Sequence, residues 1–415
     1  MLTKAILYLT FLVSVLVSNN LYVCGQIQQI RQPTSGGEIA DELGKYLEKL
    51  AGEDKFSGAV LVAKDGKPIF QRAYGMANKR DNVPNRIDTK FNLGSMNKMF
   101  TAVAITQLAE RGKLSFSDTV GKHLPDYPNK AIAEKVTIHH LLTHTSGLGD
   151  YQNDKFYAQL DRWRTVDNLL PLFVNDPLQF EPGQGWEYSN AGFAVLGLIV
   201  EKASGQNYFD YVKKNIFKPA GMANTDFYER DKKVANRAVG YMRVNAKGEP
   251  DPEASRRENT LTRPAKGSPA GGAYSTVNDL LKFHLALGNN KLLTRKFTDI
   301  ATTGKIKVPA GQPMNEYAYG FTISSPNGKR IVGHGGAGLG VAGKFEMYPE
   351  LGYTVVILTN YDLSDMIRVV MKTREEILKQ FSKEMSKIYY RDSAEQLSLS
   401  KVAKPSVRRR VRRIL

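Results

Sequence analysis

One cysteine in 415 residues, Cys24, leaves no pair for an intrachain disulfide, so stability has to come from a core and not from staples. No internal repeat is visible, which sets repeat architectures aside. The apolar run at the start, Ala5 to Val17, is too short to span a bilayer comfortably. With Lys4 ahead of it and Val23-Cys24-Gly25 behind it as a cleavage site, it reads as a secretory leader over residues 1–25. Cleavage there would put Gln26 at the mature terminus and remove the only thiol. Lipid attachment through Cys24 is the rival reading, and Tyr22 and Val23 are poor residues ahead of a lipidated cysteine. The expectation is an exported protein, periplasmic or secreted. A polar linker over 26–36 follows the leader.

Acidic residues are in deficit: 58 Lys and Arg face 41 Asp and Glu, for a formal net charge of +17. Such a balance invites a nucleic-acid reading. Seven of those charges, however, sit in the last fifteen residues, from Lys401 to Arg413, with no acid among them. The segment 382–415 therefore reads as a basic, disordered tail. It offers a weak attraction to anionic polymers or a membrane surface, and a merely solvated tail is the plainer alternative. An exported protein has no nucleic-acid partner. The rest of the composition, 42% hydrophobic and 24% charged, is that of a globular chain with a sizeable core.

Two further patterns lack a necessary part. Gly338-Leu339-Gly340-Val341-Ala342-Gly343 matches the dinucleotide fingerprint, but Lys344 to Tyr348 continues it as an alternating strand and not as a helix. His140 and His144 have zinc spacing, but Leu141 stands where a metalloprotease needs glutamate. Both histidines read as structural. No metal and no cofactor is expected.

Chemistry appears at Gly94-Ser95-Met96-Asn97-Lys98, which opens the apolar stretch Met99 to Ile105. Three residues is close to one helical turn, so Ser95 and Lys98 share a face and the ammonium can approach the hydroxyl. A serine needs such activation to be a nucleophile, and a helix N-terminus favours the charge that forms there. A capping serine beside a solvated lysine is the plain alternative for this motif alone. Glu187-Tyr188-Ser189-Asn190 precedes a second apolar helix, and in an extended loop Tyr188 and Asn190 point the same way. Ile331 to Ala337 ends an apolar run with His334-Gly335-Gly336, a form that suits a strand edge with close backbone approach.

In the order Ser-x-x-Lys, Tyr-x-Asn, His-x-Gly, these motifs resemble the active site of the serine β-lactamase and penicillin-binding protein superfamily. Val136 to Leu148, Phe180 to Gly183 and Ala270 to Leu280 look like signatures of one branch. That branch holds class C β-lactamases, D-alanyl-D-alanine carboxypeptidases, D-aminopeptidases and carboxylesterases. The similarity runs from about Gly37 to Gln380 and implies a serine hydrolase domain over 37–381.

The resemblance implies an acyl-enzyme on Ser95, with Lys98 exchanging its proton and Tyr188 as partner base. Asn190 would orient substrate, and the backbone amides of Ser95 and Ala337, beside Gly336, would form the oxyanion hole. His334-Gly335-Gly336 departs from the Lys-Thr/Ser-Gly of β-lactamases and removes a cation and a hydroxyl that hold a substrate carboxylate. An ester or a D-amino-acid amide is then the expected substrate, ahead of a β-lactam. A DD-peptidase acting on cell-wall peptides and a non-catalytic scaffold of the same fold are the alternatives.

The expected fold is α/β (α+β), an antiparallel sheet of N- and C-terminal strands flanked by helices with an inserted, mostly helical subdomain. Ala59–Ala63 and Ile69–Phe70 flank an Asp65-Gly66 hairpin turn, and further strands are expected at 318–323, 330–333, 341–348 and 353–359. A long amphipathic helix over 364–381 ends the domain.

Overall fold

The computed structural model describes residues 37–246, 251, 253–380 and 382. The leader over 1–25, the linker over 26–36 and, Ser382 apart, the tail over 382–415 lie outside the described residues. Ile39, Leu43, Leu47 and Leu50 recur at helical spacing and are the buried face of helix α1 (Gly37–Gly52). The chain then forms a hairpin of β1 (Gly58–Lys64) and β2 (Lys67–Tyr74). Its turn residues Asp65 and Gly66 have φ of 50° and 77°, the left-handed pair whose twist matches the two strands.

Six more strands come from the C-terminal third: β3 (Ile306–Lys307), β4 (Glu316–Tyr317), β5 (Thr322–Ser324), β6 (Ile331–Gly338), β7 (Val341–Tyr348) and β8 (Tyr353–Thr359). They join the hairpin in one antiparallel sheet of order β2-β1-β8-β7-β6-β5-β4-β3. The first strand thus pairs with the last, Gly58 opposite Thr359. Both have an unbroken apolar centre, residues 59–63 and 355–358, because both sheet faces are covered. Ala59, Leu61, Val356 and Leu358 point into the larger core, while Val60, Val62, Val355 and Ile357 point into the smaller one. Helix α1 and the helical residues 363–380 close the smaller core through Leu43, Leu47, Val369 and Ile377.

The segment between β2 and β3 is mostly helix and loop, the expected insertion. It contains α2 (Lys98–Glu110), α3 (Asn190–Ser204) and α4 (Val277–Gly288). Helix α2 is buried on every side from Lys98 to Leu108, which accounts for its lack of an amphipathic pattern. Among the described residues, no helix is long and apolar enough to cross a membrane.

Two strand expectations need correction. Residues 318–321 are not a strand but the turn between β4 and β5, where Ala318 N–H donates to the Phe321 carbonyl. Gly320 there has φ of 71°, and a Cβ on it would stand 2.7 Å from the Lys98 carbonyl oxygen. The turn is thereby pressed onto α2. Conversely, β6 does not end at Gly333 but runs on through His334 to Gly338. Gly338-Leu339-Gly340 is then the turn of the β6–β7 hairpin, as the rejected nucleotide fingerprint requires.

Candidate active site

Ser95 lies in a 3-10 turn, Gly94–Asn97, and α2 begins only at Lys98. The serine therefore precedes the α-helix instead of occupying its first turn. The spacing still works: Lys98 Nζ is 3.4 Å from Ser95 Oγ. The same ammonium donates to Asn190 Oδ1 at 2.6 Å and to the Ala270 carbonyl at 2.9 Å. Lys98 is wholly buried, and burial pulls its pKa down to about 7 against a smaller opposing pull from the Asp150 charge. Near neutral pH it holds comparable amounts of amine and ammonium.

The second motif is arranged by Ser189. It is extended, with φ −124° and ψ 117°, and its hydroxyl caps α3 by accepting from Gly192 N–H at 2.9 Å. Extension at Ser189 turns Tyr188 and Asn190 to one side, as the two-residue spacing predicts. The Tyr188 ring centroid lies 4.6 Å from Lys98 Nζ, and its hydroxyl is hydrogen-bonded to Ser95. Burial raises the Tyr188 pKa above that of a free phenol, and the hydrogen bond to Ser95 only partly offsets this. The phenol keeps its proton.

Three more residues complete this corner: Asp150 and Tyr317, which sequence reasoning passed over, and His144, which it read as structural. Asp150 accepts from Asn190 Nδ2 at 2.7 Å, which fixes the amide with its oxygen toward Lys98. His144 is the left-handed C-cap of the short helix Ile138–Thr143, with φ 63°. Its Nδ1 accepts from Ser189 N–H at 3.0 Å, and its ring packs 4.3 Å from that of Tyr188. The histidine expected to be structural thus props the second motif. His140 accepts from Thr137 N–H in a capping box at the start of the same short helix.

The third is Tyr317, whose hydroxyl stands 3.0 Å from His334 Nε2. His334 Nδ1 faces the Gly335 carbonyl, so this nitrogen carries the proton and Nε2 accepts from the tyrosine. His334 is 4% exposed, and burial with the Lys98 charge beside it lowers its pKa to about 3. It is a neutral residue in the wall, with both nitrogens occupied.

The backbone of β6 lies directly against the serine turn. A Cβ at Gly336 would stand 1.9 Å from the Leu93 carbonyl oxygen and 3.1 Å from the Ser95 nitrogen. One at Gly94, where φ is 49°, would stand 2.9 Å from the Ala337 nitrogen. Two glycines therefore bring the Ser95 and Ala337 amides to one place. Structure and sequence reading agree that Ser95, Lys98, Tyr188, Asn190, Gly336 and Ala337 converge. The serine opens into a cleft of about 340 Å³, lined also by Tyr151, Trp163, Tyr228 and Tyr274.

This geometry has known counterparts. The Beta-lactamase family profile matches residues 43–378. "Penicillin-binding protein 4*" of Bacillus subtilis (strain 168) is 32% identical over 346 residues, covering 81% of this chain and 75% of that protein. Among solved structures, a penicillin binding protein from Bacillus halodurans is 34% identical with a TM-score of 0.70, covering 80% of this chain and 99% of that one. A D-stereospecific amidohydrolase from Streptomyces sp. is 25% identical with a TM-score of 0.68, covering 80% and 97%. With its motifs in order, its sheet closed from both ends and its profile match running through nearly all the described residues, the chain belongs to the Beta-lactamase family, within the superfamily of serine β-lactamases and penicillin-binding proteins.

Proposed function

We propose that the protein is an exported serine hydrolase that cleaves an ester or amide bond through an acyl-enzyme on Ser95. One observation carries the reading: a wholly buried lysine with pKa about 7 lies 3.4 Å from a serine oxygen that opens into a cleft. The amine form of Lys98 takes the Ser95 proton as Oγ adds to the carbonyl carbon. The oxyanion that forms is held by the Ser95 and Ala337 amides, each such donor being worth about 3 kcal/mol. As the tetrahedral centre collapses, the bond to the leaving group breaks and that group takes a proton from the Tyr188 hydroxyl. The Lys98 ammonium then restores the tyrosine. Water hydrolyses the ester by the same groups in reverse. Asn190 holds Lys98 and orients the acyl chain.

The neutral, occupied His334 supports substrates other than β-lactams, because the third-motif side chain that stands beside Tyr188 carries no charge to hold their carboxylate. Short esters and D-amino-acid amides fit this wall, the latter in keeping with the D-stereospecific amidohydrolase of the same fold. A second reading, a DD-peptidase acting on cell-wall peptides, is favoured by the similarity to penicillin-binding proteins. A fluorophosphonate should label the purified protein, and Ser95→Ala should abolish the label. Absence of label on the wild type, where a family control reacts, would remove the hydrolase reading and leave the scaffold alternative.

The pH dependence tests the choice of base. If amine is the active form of Lys98, kcat/KM should rise through pH 7. The Asp150 charge stabilises the ammonium, so Asp150→Asn should lower the Lys98 pKa and move this limb toward acid by roughly one unit. A limb that stays put, or moves toward alkali, contradicts the assignment.

A further inference from the structure

The cleft in front of Ser95 has an unbalanced charge. Arg230, Arg263 and Lys266 line it, and no Asp or Glu is among the described residues that do so. Two of the three cations are engaged. Arg230 is ion-paired with Asp161 and donates to the Arg263 carbonyl. Lys266 lies 3.8 Å from Glu229 and 4.2 Å over the ring of Phe209.

Arg263 differs from both. Among the described residues, no carboxylate stands within ion-pair distance of its guanidinium. Its neighbour is the Tyr274 ring, whose centroid is 5.2 Å away. A guanidinium over an aromatic face keeps its edge N–H groups free for a planar anion. The platform is fixed: Tyr274 is 7% exposed and pairs with Asn92 in a short two-stranded ladder. Asn92 is two residues before Gly94, and its side chain accepts from Gly94 N–H at 2.9 Å. The guanidinium is thus tied, through one ladder pair, to the turn that carries the nucleophile. The Arg263 backbone is tied as well, by the Arg230 bond to its carbonyl.

We propose that Arg263 is a carboxylate anchor of the substrate site, taking over from the opposite wall the charge that His334 does not supply. The proposal rests on the Ser95 hydrolase reading and narrows it to acidic substrates, esters or amides that carry a carboxylate apart from the bond that is cut. A guanidinium and a carboxylate form paired, charge-assisted hydrogen bonds, stronger in a cleft with partly excluded water.

Matched substrates test this. Mono-p-nitrophenyl glutarate and its methyl ester place the charge on the acyl side, and 3-carboxyphenyl acetate and its methyl ester place it on the leaving group. Wild type should prefer the acid in at least one pair, mainly through KM. Arg263→Gln should cut the acid-to-neutral ratio of kcat/KM at least tenfold there, and Arg263→Lys should keep part of it. Hydrolysis with no preference for either acid, or equal loss on acid and neutral substrate in Arg263→Gln, overturns the anchor and leaves the hydrolase. Failure to react with any ester or with a fluorophosphonate overturns both.

Discussion

Lys98→Ala is expected to slow acylation of Ser95 by about three orders of magnitude or more, with Tyr188→Phe also costing orders of magnitude. The expectation follows from how completely Lys98 is committed. Its ammonium reaches Ser95, Asn190 and the Ala270 carbonyl, and it is wholly buried. Among the described residues, no other base in contact with Ser95 titrates near neutrality, since burial raises the Tyr188 phenol. Because the two residues serve one proton path, Lys98→Ala with Tyr188→Phe should be scarcely worse than Lys98→Ala alone. Single-turnover labelling rates for the three variants, with melting curves as a folding check, decide it. Near wild-type acylation by Lys98→Ala would refute the proposed base. Fully additive losses would refute the shared path.

Gly336→Ala should cost kcat a factor of about 100 to 1,000 for one methyl group. The added Cβ would fall 1.9 Å from the Leu93 carbonyl oxygen, which is backbone and cannot rotate away. Strand β6 must retreat, carrying the Ala337 amide off the position of the developing oxyanion. Gly338→Ala, two residues along the same strand, is the control. Its Cβ would meet only the Val341 Cβ at 3.9 Å, an ordinary contact. Turnover should therefore fall in the first variant and hold in the second. Equal effects would mean that the strand is merely fragile, and no effect of Gly336→Ala would detach β6 from the site.

Much of this site was legible because its parts are local. Ser95 and Lys98 are one turn apart, and Tyr188 and Asn190 straddle one extended residue, so short-range geometry fixes both pairs. The hairpin turn at Asp65-Gly66 and the apolar centres of strands β1 and β8 were readable on the same ground. What escaped are contacts without local periodicity. Asp150 meets Asn190 across forty residues, and Tyr317 meets His334 only because β4 and β6 are held on either side of β5. The reach of β6 past Gly333 was hidden by its glycines, which carry no strand propensity and are there for the close approach to Leu93 and Ser95. Tyr188 is the instructive case. A lysine beside it suggests a phenolate, but desolvation of the hydroxyl outweighs its hydrogen bond to Ser95 and keeps the phenol protonated, a balance that only the packed structure discloses.

The pairing of Gly58 with Thr359 has a consequence for how the chain reaches this state. The β1–β2 hairpin can form early, from contacts a few residues apart, but β1 lacks its second neighbour until residues 353–359 arrive. Closing so long a loop costs entropy that no local contact returns, which makes for a late and slow step. Until then an apolar strand edge stays open to other chains, the usual start of aggregation. The nucleophile turn depends on the same event, since β6 reaches β1 only through β7 and β8. Loss of the last strand would therefore leave most of the sequence present and the serine without its opposite wall.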